Sequence, residues 1–199
     1  MNIIILLIVS YLFGSIPSAL IIGKKFYNKD IRMEGSGNLG GTNAGRVLGK
    51  KAGLIVTVLD VTKVLIPTLF ARFFFKTNIL DNFDLAALVG FIALIGHSYP
   101  VFARFRGGKG VSSFLGVGLV LNPIIALFIF IMWILLKRIT NYVSISSMVS
   151  CMFAPFIILA IYGTRPAFYI MLAGALFIVY LHRTNIQRLL KGTENKIRK

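Results

Sequence analysis

The stretch VSSFLGVGLVLNPIIALFIFIMWILL, residues 111–136, decides the fold, because it fits either one kinked membrane helix or two helices joined by a turn. Residues 111–121 form a short apolar run, and a helix of that length spans only about 16 Å of a hydrocarbon core roughly 30 Å thick. Proline is tolerated inside membrane helices, so Asn122-Pro123 fits a kink as well as a turn. Each later loop lies on one side of the membrane in the first interpretation and on the other side in the second.

The rest of the chain has the composition of a membrane protein. Its mean hydropathy is +0.83, and 57% of its 199 residues are hydrophobic, which favours a single polytopic domain, residues 1–199. The first apolar run lacks the basic start and the cleavage site of a signal peptide, so we expect it to be retained. The runs of spanning or near-spanning length are 3–22, 52–75, 85–95, 111–121, 123–136, 143–162 and 167–181.

The distribution of cations chooses between the two interpretations. With seven spans and an external N-terminus, almost all loop cations are cytoplasmic, and only Lys76 and Arg165 lie outside. A single kinked helix divides the same cations almost evenly between the two sides. The sequence therefore predicts an all-α membrane protein with seven transmembrane helices, the N-terminus outside and the C-terminus cytoplasmic. Asn122-Pro123 is then a tight external turn.

Three polar segments fall on the same cytoplasmic face in this topology. We expect one active site built from all three, because they are rich in Gly, Asn, His, Lys and Arg. Contact with anionic lipid headgroups is the simpler explanation for Lys24, Lys25, Arg198 and Lys199. The three segments are residues 23–51, 96–113 and 182–199.

The first segment contains GSGNLGGTNAGR, residues 35–46, in which glycines allow close backbone approach and consecutive amides can form an anion-binding nest. A dinucleotide fold is excluded, because the preceding NKDIRME is not a buried strand. The following GRVLGKK is one residue short of a Walker loop and lacks its Ser or Thr. The remaining interpretation of this segment is a phosphate-binding loop that does not belong to a nucleotide-binding fold.

Every fourth residue from 41 to 53 is glycine, which places these residues on one stripe if the helix of the second span begins near Thr42. Thr42 or Asn43 would then cap the helix, and its N-terminus would direct amides at an anion. The stripe is equally typical of a small-residue helix-packing face. The two interpretations are compatible.

The other two segments add cations and hydrogen-bonding side chains. RGGKG, residues 106–110, surrounds Lys109 with glycines, and Lys and Arg are the side chains that bind phosphate oxygens. His182, Asn185 and Arg188 follow at intervals of three, so they share one face of a helix. A histidine near a membrane interface is more often a structural hydrogen-bonding residue than a catalyst, and spacing alone leaves the role of His182 open.

Other polar residues lie within or beside the apolar runs. Asp60 and Lys63 are one helical turn apart, which predicts an internal ion pair, although such pairs can also mark an ion pathway. His97 also fits a structural role better than a direct one. Ser147 belongs to a group of serines that can bridge helices or line the floor of a site. Cys151 is expected to be a buried, inert thiol.

The three segments GSGNLGGTNAGR, GHSYPVFARFRGGKGV and HRTNIQRLLKGTE closely resemble, in order, the three motifs of the bacterial membrane family that transfers an acyl chain from acyl phosphate to glycerol 3-phosphate. The resemblance extends to FGSIPSAL in the first span and LDVTKV in the second, so it covers nearly the whole chain. The departures are Arg106, where lysine is usual, and Val64, where glycine often follows the intramembrane lysine.

This resemblance implies a multi-pass enzyme of the bacterial cytoplasmic (inner) membrane that makes 1-acyl-glycerol 3-phosphate, the first step of phospholipid synthesis. The expected partners are acyl phosphate, glycerol 3-phosphate, membrane lipid and an upstream enzyme that forms the acyl phosphate, with no nucleic acid. No cofactor is expected. No metal is expected either, because the two histidines are far apart and few carboxylates are nearby.

The resemblance and the loop chemistry together give the candidate site. The expected catalytic residues are Ser36, Arg46, Lys109, His182 and Asn185. The residues expected to bind phosphate are Gly37, Asn38, Gly40, Gly41, Thr42, Asn43, Gly107, Gly108, Gly110 and Ser147. The supporting residues are His97, Asp60, Lys63 and Glu194, of which Glu194 is expected to brace a cation.

We expect direct attack of the glycerol 1-hydroxyl on the acyl carbon, because acyl phosphate is already activated and no Ser-His-Asp set is apparent. Lys109 and Arg46 would stabilise charge on the phosphate oxygens, and the base is either His182 or the substrate's own phosphate. The alternative is a membrane carrier for phosphorylated metabolites. Carriers commonly have repeated halves and a midplane site, whereas this chain has no visible repeat and its candidate residues lie at one interface.

Overall fold

The computed structural model describes residues 2–197, and every regular element in that range is helical. Arg198 and Lys199, two of the four cations assigned to lipid headgroups, lie outside the described residues. The elements are α1 Ile3–Gly14, α2 Ser18–Tyr27, α3 Gly41–Val47, α4 Lys50–Phe73, α5 Asn82–Ser98, a 3-10 turn Val101–Ala103, α6 Val111–Leu121, α7 Pro123–Thr140, α8 Val143–Tyr162, α9 Pro166–Leu181 and α10 Arg183–Leu190.

Several of these helices are long and apolar enough to cross a membrane. Within residues 2–197 there are five such stretches, and α9 with α10 makes a sixth if their 53° bend lies within one span. α6 is a shorter apolar helix. The five stretches are Ile3–Tyr27, Lys50–Phe73, Asn82–Ala103, Pro123–Thr140 and Val143–Tyr162.

α6 and α7 are separate helices, as the turn interpretation predicts. The backbone of Asn122 is extended, and its side chain accepts hydrogen bonds from the N–H groups of Ile124 and Ile125, both at 3.1 Å, which caps α7. A Cβ placed on Gly118 would lie 3.5 Å from the Cβ of Ala126. In one continuous helix these residues would be about 12 Å apart. The chain therefore reverses at Asn122, and the single kinked helix is wrong.

The second long helix does not begin near Thr42, so that prediction is wrong, as is a cap at Thr42 or Asn43. The short helix α3 starts after Gly40, and α4 starts only after Gly49. Gly49 has φ +99°, a conformation that glycine adopts without steric cost, and it breaks the helix between the two.

The recurring glycines instead join α3 to α4. A Cβ on Gly53 would lie 2.6 Å from the Cα of Gly45, and a Cβ on Gly41 would lie 2.8 Å from the carbonyl oxygen of Gly53. The small-residue packing face is therefore confirmed, but it lies between two helices that follow each other in the chain.

α5 is the central helix of the bundle, and it is packed by α1, α4, α6 and α9. Glycine allows the close approach of α1, because a Cβ on Gly14 would overlap the carbonyl oxygen of Ala93. The C-terminal end of α5 carries His97 to the polar end of the molecule. Its fully buried core residues are Leu85, Ala86, Ala87, Val89, Ala93 and Leu94.

The ion pair between Asp60 and Lys63 on α4 is confirmed. Lys63 Nζ lies 2.9 Å from Asp60 Oδ1 and also donates a hydrogen bond to the carbonyl oxygen of Ile16 at 2.7 Å, between α1 and α2. Both side chains are buried. At the other end of α2, Lys24 makes an exposed ion pair with Asp30 at 3.5 Å.

Candidate active site

The three polar segments meet around one cavity of about 570 Å³. Its polar end is formed where the loop before α4, the start of α6 and the region of α10 come together. Gly37, Gly107 and Gly108 are not part of its lining. The polar lining includes Ser36, Asn38, Gly40, Gly41, Thr42, Asn43, Arg46, Lys109, Gly110, His182, Asn185, Arg188 and Glu194.

Asn43 organises the first segment from within. Its side chain is buried, and its Oδ1 accepts a hydrogen bond from the N–H of Ser36 at 2.9 Å. Its Nδ2 donates to the carbonyl oxygens of Ile31 at 3.3 Å and Glu34 at 3.2 Å. An amide has only two such hydrogens, so both are used within the loop. Asn43 therefore holds Ser36 in place at the cavity.

The first and second segments are joined at Gly107. Its carbonyl oxygen accepts hydrogen bonds from the N–H of Leu39 at 3.3 Å and from Asn38 Nδ2 at 3.4 Å. Asn38 thus links the two glycine-rich loops while it lines the cavity. Backbone contacts between loops so far apart in sequence bring Arg46 and Lys109 to the same end of the cavity.

Lys109 is the central cation of the site. Its Nζ donates a hydrogen bond to Asn185 Oδ1, which ties the second segment to the third. Burial, and then the positive charge of Arg188, lowers the pKa of Lys109 to about 8, and Arg46 acts in the same direction. Arg188 and Arg46 therefore both repel Lys109, while Glu194 acts in the opposite direction, and an anion bound among the cations would relieve the repulsion.

Glu194 holds the third segment together. Its Oε1 accepts a hydrogen bond from Asn185 Nδ2 at 2.6 Å, and its Oε2 accepts one from Arg188 Nε at 2.7 Å. Burial alone would raise the pKa of Glu194, but the hydrogen bonds from Asn185 and Arg188 keep it below its ordinary value. Glu194 is thus an ionised brace for a cation, as expected, and it also orients the amide that meets Lys109.

His182 lies at the bend between α9 and α10 and is buried. Its Nδ1 is 2.7 Å from the carbonyl oxygen of Ile178. A carbonyl oxygen only accepts hydrogen bonds, so Nδ1 carries the hydrogen, and in the neutral ring Nε2 is the acceptor. The ring therefore has one nitrogen suited to accept a proton or a hydrogen bond at the cavity.

The rest of the cavity is apolar, and this part was not foreseen from the sequence. It runs beside α6, α7 and α8, and its residues recur at helical spacing, a signal that could have identified one shared face. Ser147 lies on this wall and accepts a hydrogen bond from Trp133 Nε1 at 3.1 Å, so it bridges α7 and α8 as well as lining the cavity. The apolar lining includes Phe114, Leu115, Leu121, Ile125, Ala126, Ile129, Phe130, Cys151, Ala154, Ile158 and Met171.

The chain matches the family model of glycerol-3-phosphate acyltransferase over residues 4–192. It belongs to the glycerol-3-phosphate acyltransferase family. Among its relatives is a glycerol-3-phosphate acyltransferase of Listeria monocytogenes, 46% identical over 197 residues, which cover 99% of this chain and 98% of the relative. Glycerol-3-phosphate acyltransferase 2 of Bacillus anthracis is 46% identical over 194 residues, with 98% of each chain covered.

Crystal structures in this family have the same fold. PlsY (YgiH), an integral membrane glycerol 3-phosphate acyltransferase, matches in its glycerol 3-phosphate form with a TM-score of 0.91 and 36% identity, over 98% of this chain and 95% of that chain. Its lysophosphatidic acid form matches with a TM-score of 0.87, over 98% and 94% of the two chains. The chain is accordingly an integral membrane protein.

The candidate residues of this acyltransferase divide into two groups. All five residues predicted to be catalytic line the polar end of the cavity. Asp60 and His97 line it as well, while Lys63 lies behind Asp60. The glycines that do not line the cavity shape the loops: Gly37 has φ +69°, and Gly107 and Gly108 pack against His97.

Proposed function

We propose that this acyltransferase moves a fatty acyl chain from acyl phosphate to the 1-hydroxyl of sn-glycerol 3-phosphate, giving 1-acyl-glycerol 3-phosphate (lysophosphatidic acid) and phosphate. This reaction is the first step of phospholipid synthesis. The observation that carries the proposal is the shape of the cavity, which has cations at one end, Arg46, Lys109 and Arg188 among them, and an apolar groove beyond them. Both substrates carry phosphate, and one of them also carries a long acyl chain.

The substrate chemistry matches the two parts of the cavity. Arg46, Lys109 and Arg188 suit phosphate oxygens, and the apolar wall between α6, α7 and α8 suits an acyl chain. The glycerol 3-phosphate and lysophosphatidic acid forms of the related PlsY correspond to the acceptor and the product of this reaction. Ser36 and the glycine backbone of residues 40–41 complete the polar end.

The mechanism is a direct transfer. The glycerol 1-hydroxyl attacks the acyl carbon, a new C–O bond forms, and the bond from that carbon to the phosphate oxygen breaks. Lys109 and Arg46 stabilise the charge that collects on the leaving phosphate. Asn185, oriented by Glu194, fixes Lys109. The hydroxyl proton passes to His182 Nε2 or to the phosphate of glycerol 3-phosphate.

In our proposed topology, seven helices cross the bacterial cytoplasmic membrane, with the N-terminus outside and the C-terminus cytoplasmic. The reversal at Asn122 supports it, because α6 and α7 then count as two passes. The cation distribution also supports it. Residues 1–199 form one domain, whose site loops 23–51, 96–113 and 182–199 face the cytoplasm. An upstream enzyme that forms acyl phosphate is the implied partner.

The donor is tested by comparing palmitoyl phosphate with palmitoyl coenzyme A. We expect purified protein in detergent or lipid to acylate labelled glycerol 3-phosphate from the phosphate donor and to show essentially no turnover with the thioester. Phosphate is a good leaving group when a lysine neutralises it. The H-x-x-x-x-D dyad of thioester-dependent acyltransferases is absent, since Phe102 and Gln187 stand five residues after the two histidines. Equal rates with both donors would contradict the assignment.

A further inference from the structure

A buried cluster of charged and polar side chains lies next to the cationic end of the cavity, and two of its members, Asp60 and His97, also line the cavity. Lys63 Nζ is 2.9 Å from Asp60 Oδ1, and His97 Nδ1 is 3.6 Å from the same oxygen. The three side chains are only 7%, 1% and 4% exposed. Ionisable groups inside a membrane protein are costly and usually have a functional reason, yet the transfer mechanism assigns no step to this cluster.

The loop that carries Lys109 is built directly on His97. The N–H of Gly108 donates a hydrogen bond to the carbonyl oxygen of His97 at 3.2 Å. A Cβ on Gly107 would overlap that carbonyl oxygen, and a Cβ on Gly108 would overlap Nε2 of the imidazole ring. The backbone of both glycines therefore rests on His97, with the ring directly beneath Gly108.

The same loop is fixed on its other sides. The carbonyl oxygen of Gly107 is held by Leu39 and Asn38, as described above. Beyond Lys109, Gly110 has φ +81° and is the N-cap residue of α6, and the Ser113 hydroxyl donates to the carbonyl oxygen of Asp60 at 3.5 Å. With both ends of the loop fixed, the ring beneath Gly108 sets the position from which Lys109 extends.

We propose that His97, which lies beside Asp60, is a positioning residue for Lys109. Its ring supports the backbone of Gly108, and this contact fixes the position from which Lys109 Nζ reaches Asn185 and the cavity. Lys63 completes the cluster. It forms an ion pair with Asp60 and donates a hydrogen bond to the carbonyl oxygen of Ile16, at the break between α1 and α2. This inference rests on the proposed function for the role of Lys109, but the contact between His97 and Gly108 can be tested separately.

The test is suppression of one defect by another. Gly108→Ala should lower turnover by about 100-fold, since a shift of about 1 Å in a reacting group has an effect of that order. His97→Ala removes the ring that the new methyl group meets. The double variant Gly108→Ala/His97→Ala should therefore be more active than Gly108→Ala alone, by about twofold to 100-fold, the range usual for coupling between residues in contact.

Gly53→Ala is the matched control. It makes the same chemical change, and its Cβ meets the Gly45 backbone, away from His97. His97→Ala should not restore Gly53→Ala. If Gly108→Ala fails to fold, the yield of folded protein replaces turnover as the readout, and it should recover only in the Gly108→Ala/His97→Ala pair.

A binding measurement separates the positioning role from the proposed function. Glycerol 3-phosphate should raise the unfolding temperature of the unmodified protein, have little effect on Lys109→Met or Gly108→Ala, and regain its effect in the double variant. Absence of acyl transfer by the unmodified protein, with this binding pattern intact, would contradict the proposed function alone. A folded double variant with neither turnover nor binding above those of Gly108→Ala would overturn the positioning role. So would loss of turnover in His97→Ala with binding unchanged, which would make His97 a direct participant.

Discussion

At the scale of single residues, Lys109 has both a structural and an electrostatic constraint. It is half-buried between loops, hydrogen-bonded to Asn185 and repelled by two arginines, and its pKa is lowered to about 8. Partial burial strengthens the attraction of Lys109 for a phosphate, but it also makes the ammonium group lose its proton at a lower pH. The charge of the site is therefore sensitive to mildly alkaline pH.

This sensitivity predicts a pH dependence. Lys109 is charged below about pH 8 and neutral above it, so kcat/KM for glycerol 3-phosphate should fall as pH rises through about 8. Lys109→Arg keeps its charge at these pH values, so any activity it retains should lack this alkaline fall. Initial rates from pH 6 to pH 10 provide the measurement. An unchanged alkaline limb in Lys109→Arg would assign the fall to another group.

His182 offers a second prediction at this scale, because its Nε2 can act as a base or as a binding group. If it accepts the hydroxyl proton, His182→Gln should lose most of kcat with little change in glycerol 3-phosphate affinity, measured by thermal shift. A collapse of affinity would mean that His182 positions the substrate. Substantial turnover by His182→Gln would favour proton transfer to the substrate's own phosphate.

At the scale of helices, the apolar wall between α6, α7 and α8 sets the room for the acyl chain. The lining follows α6 from Val111 to Leu121, a length of about 15 Å. On the α8 wall, Ser144 is near the polar third segment, whereas Ala154 is nearly three turns away, in the apolar part of the lining that continues to Ile158. A bulky side chain at residue 154 would therefore shorten the groove without touching the cations.

We expect Ala154→Phe to shift the donor preference toward shorter acyl phosphates. Turnover of palmitoyl phosphate should fall by about 10-fold or more, while octanoyl phosphate should be affected much less, because overpacking costs about 1–3 kcal/mol. Phe153→Leu is the control, since Phe153 is exposed on the outer face of the same helix. A uniform loss across all chain lengths would indicate general damage rather than a shorter groove.

At the scale of the whole molecule, the proposed topology predicts which loops can be labelled from each side. In Cys151→Ser protein, Asn78→Cys between α4 and α5 should react with a membrane-impermeant maleimide in intact cells. Lys191→Cys after α10 should react only after permeabilisation. Both replaced residues are exposed, so burial does not limit the reaction. The reverse pattern would invert the topology and move the site to the outer face.

The sequence by itself determined the features that depend on neighbours along the chain. Apolar length predicts the helices, the distribution of cations predicts the reversal at Asn122-Pro123, and a spacing of three predicts the pair of Asp60 with Lys63. The cationic, glycine-rich segments also indicate phosphate binding directly, because that chemistry depends on residue type. The glycine repeat at residues 41–53 led to a wrong helix start near Thr42, because the same local pattern fits one continuous helix and two helices packed against each other.

Only the tertiary structure decided the features that depend on contacts between distant segments. The break at Gly49, the use of both Asn43 hydrogens inside the loop and the support of Gly108 by His97 are examples. The apolar groove beyond the cations is another, since it is the space left between helices rather than a property of any one of them. Helical period determines which face of a helix is apolar, but the packing of neighbouring helices determines whether that face meets another helix, lipid or a cavity.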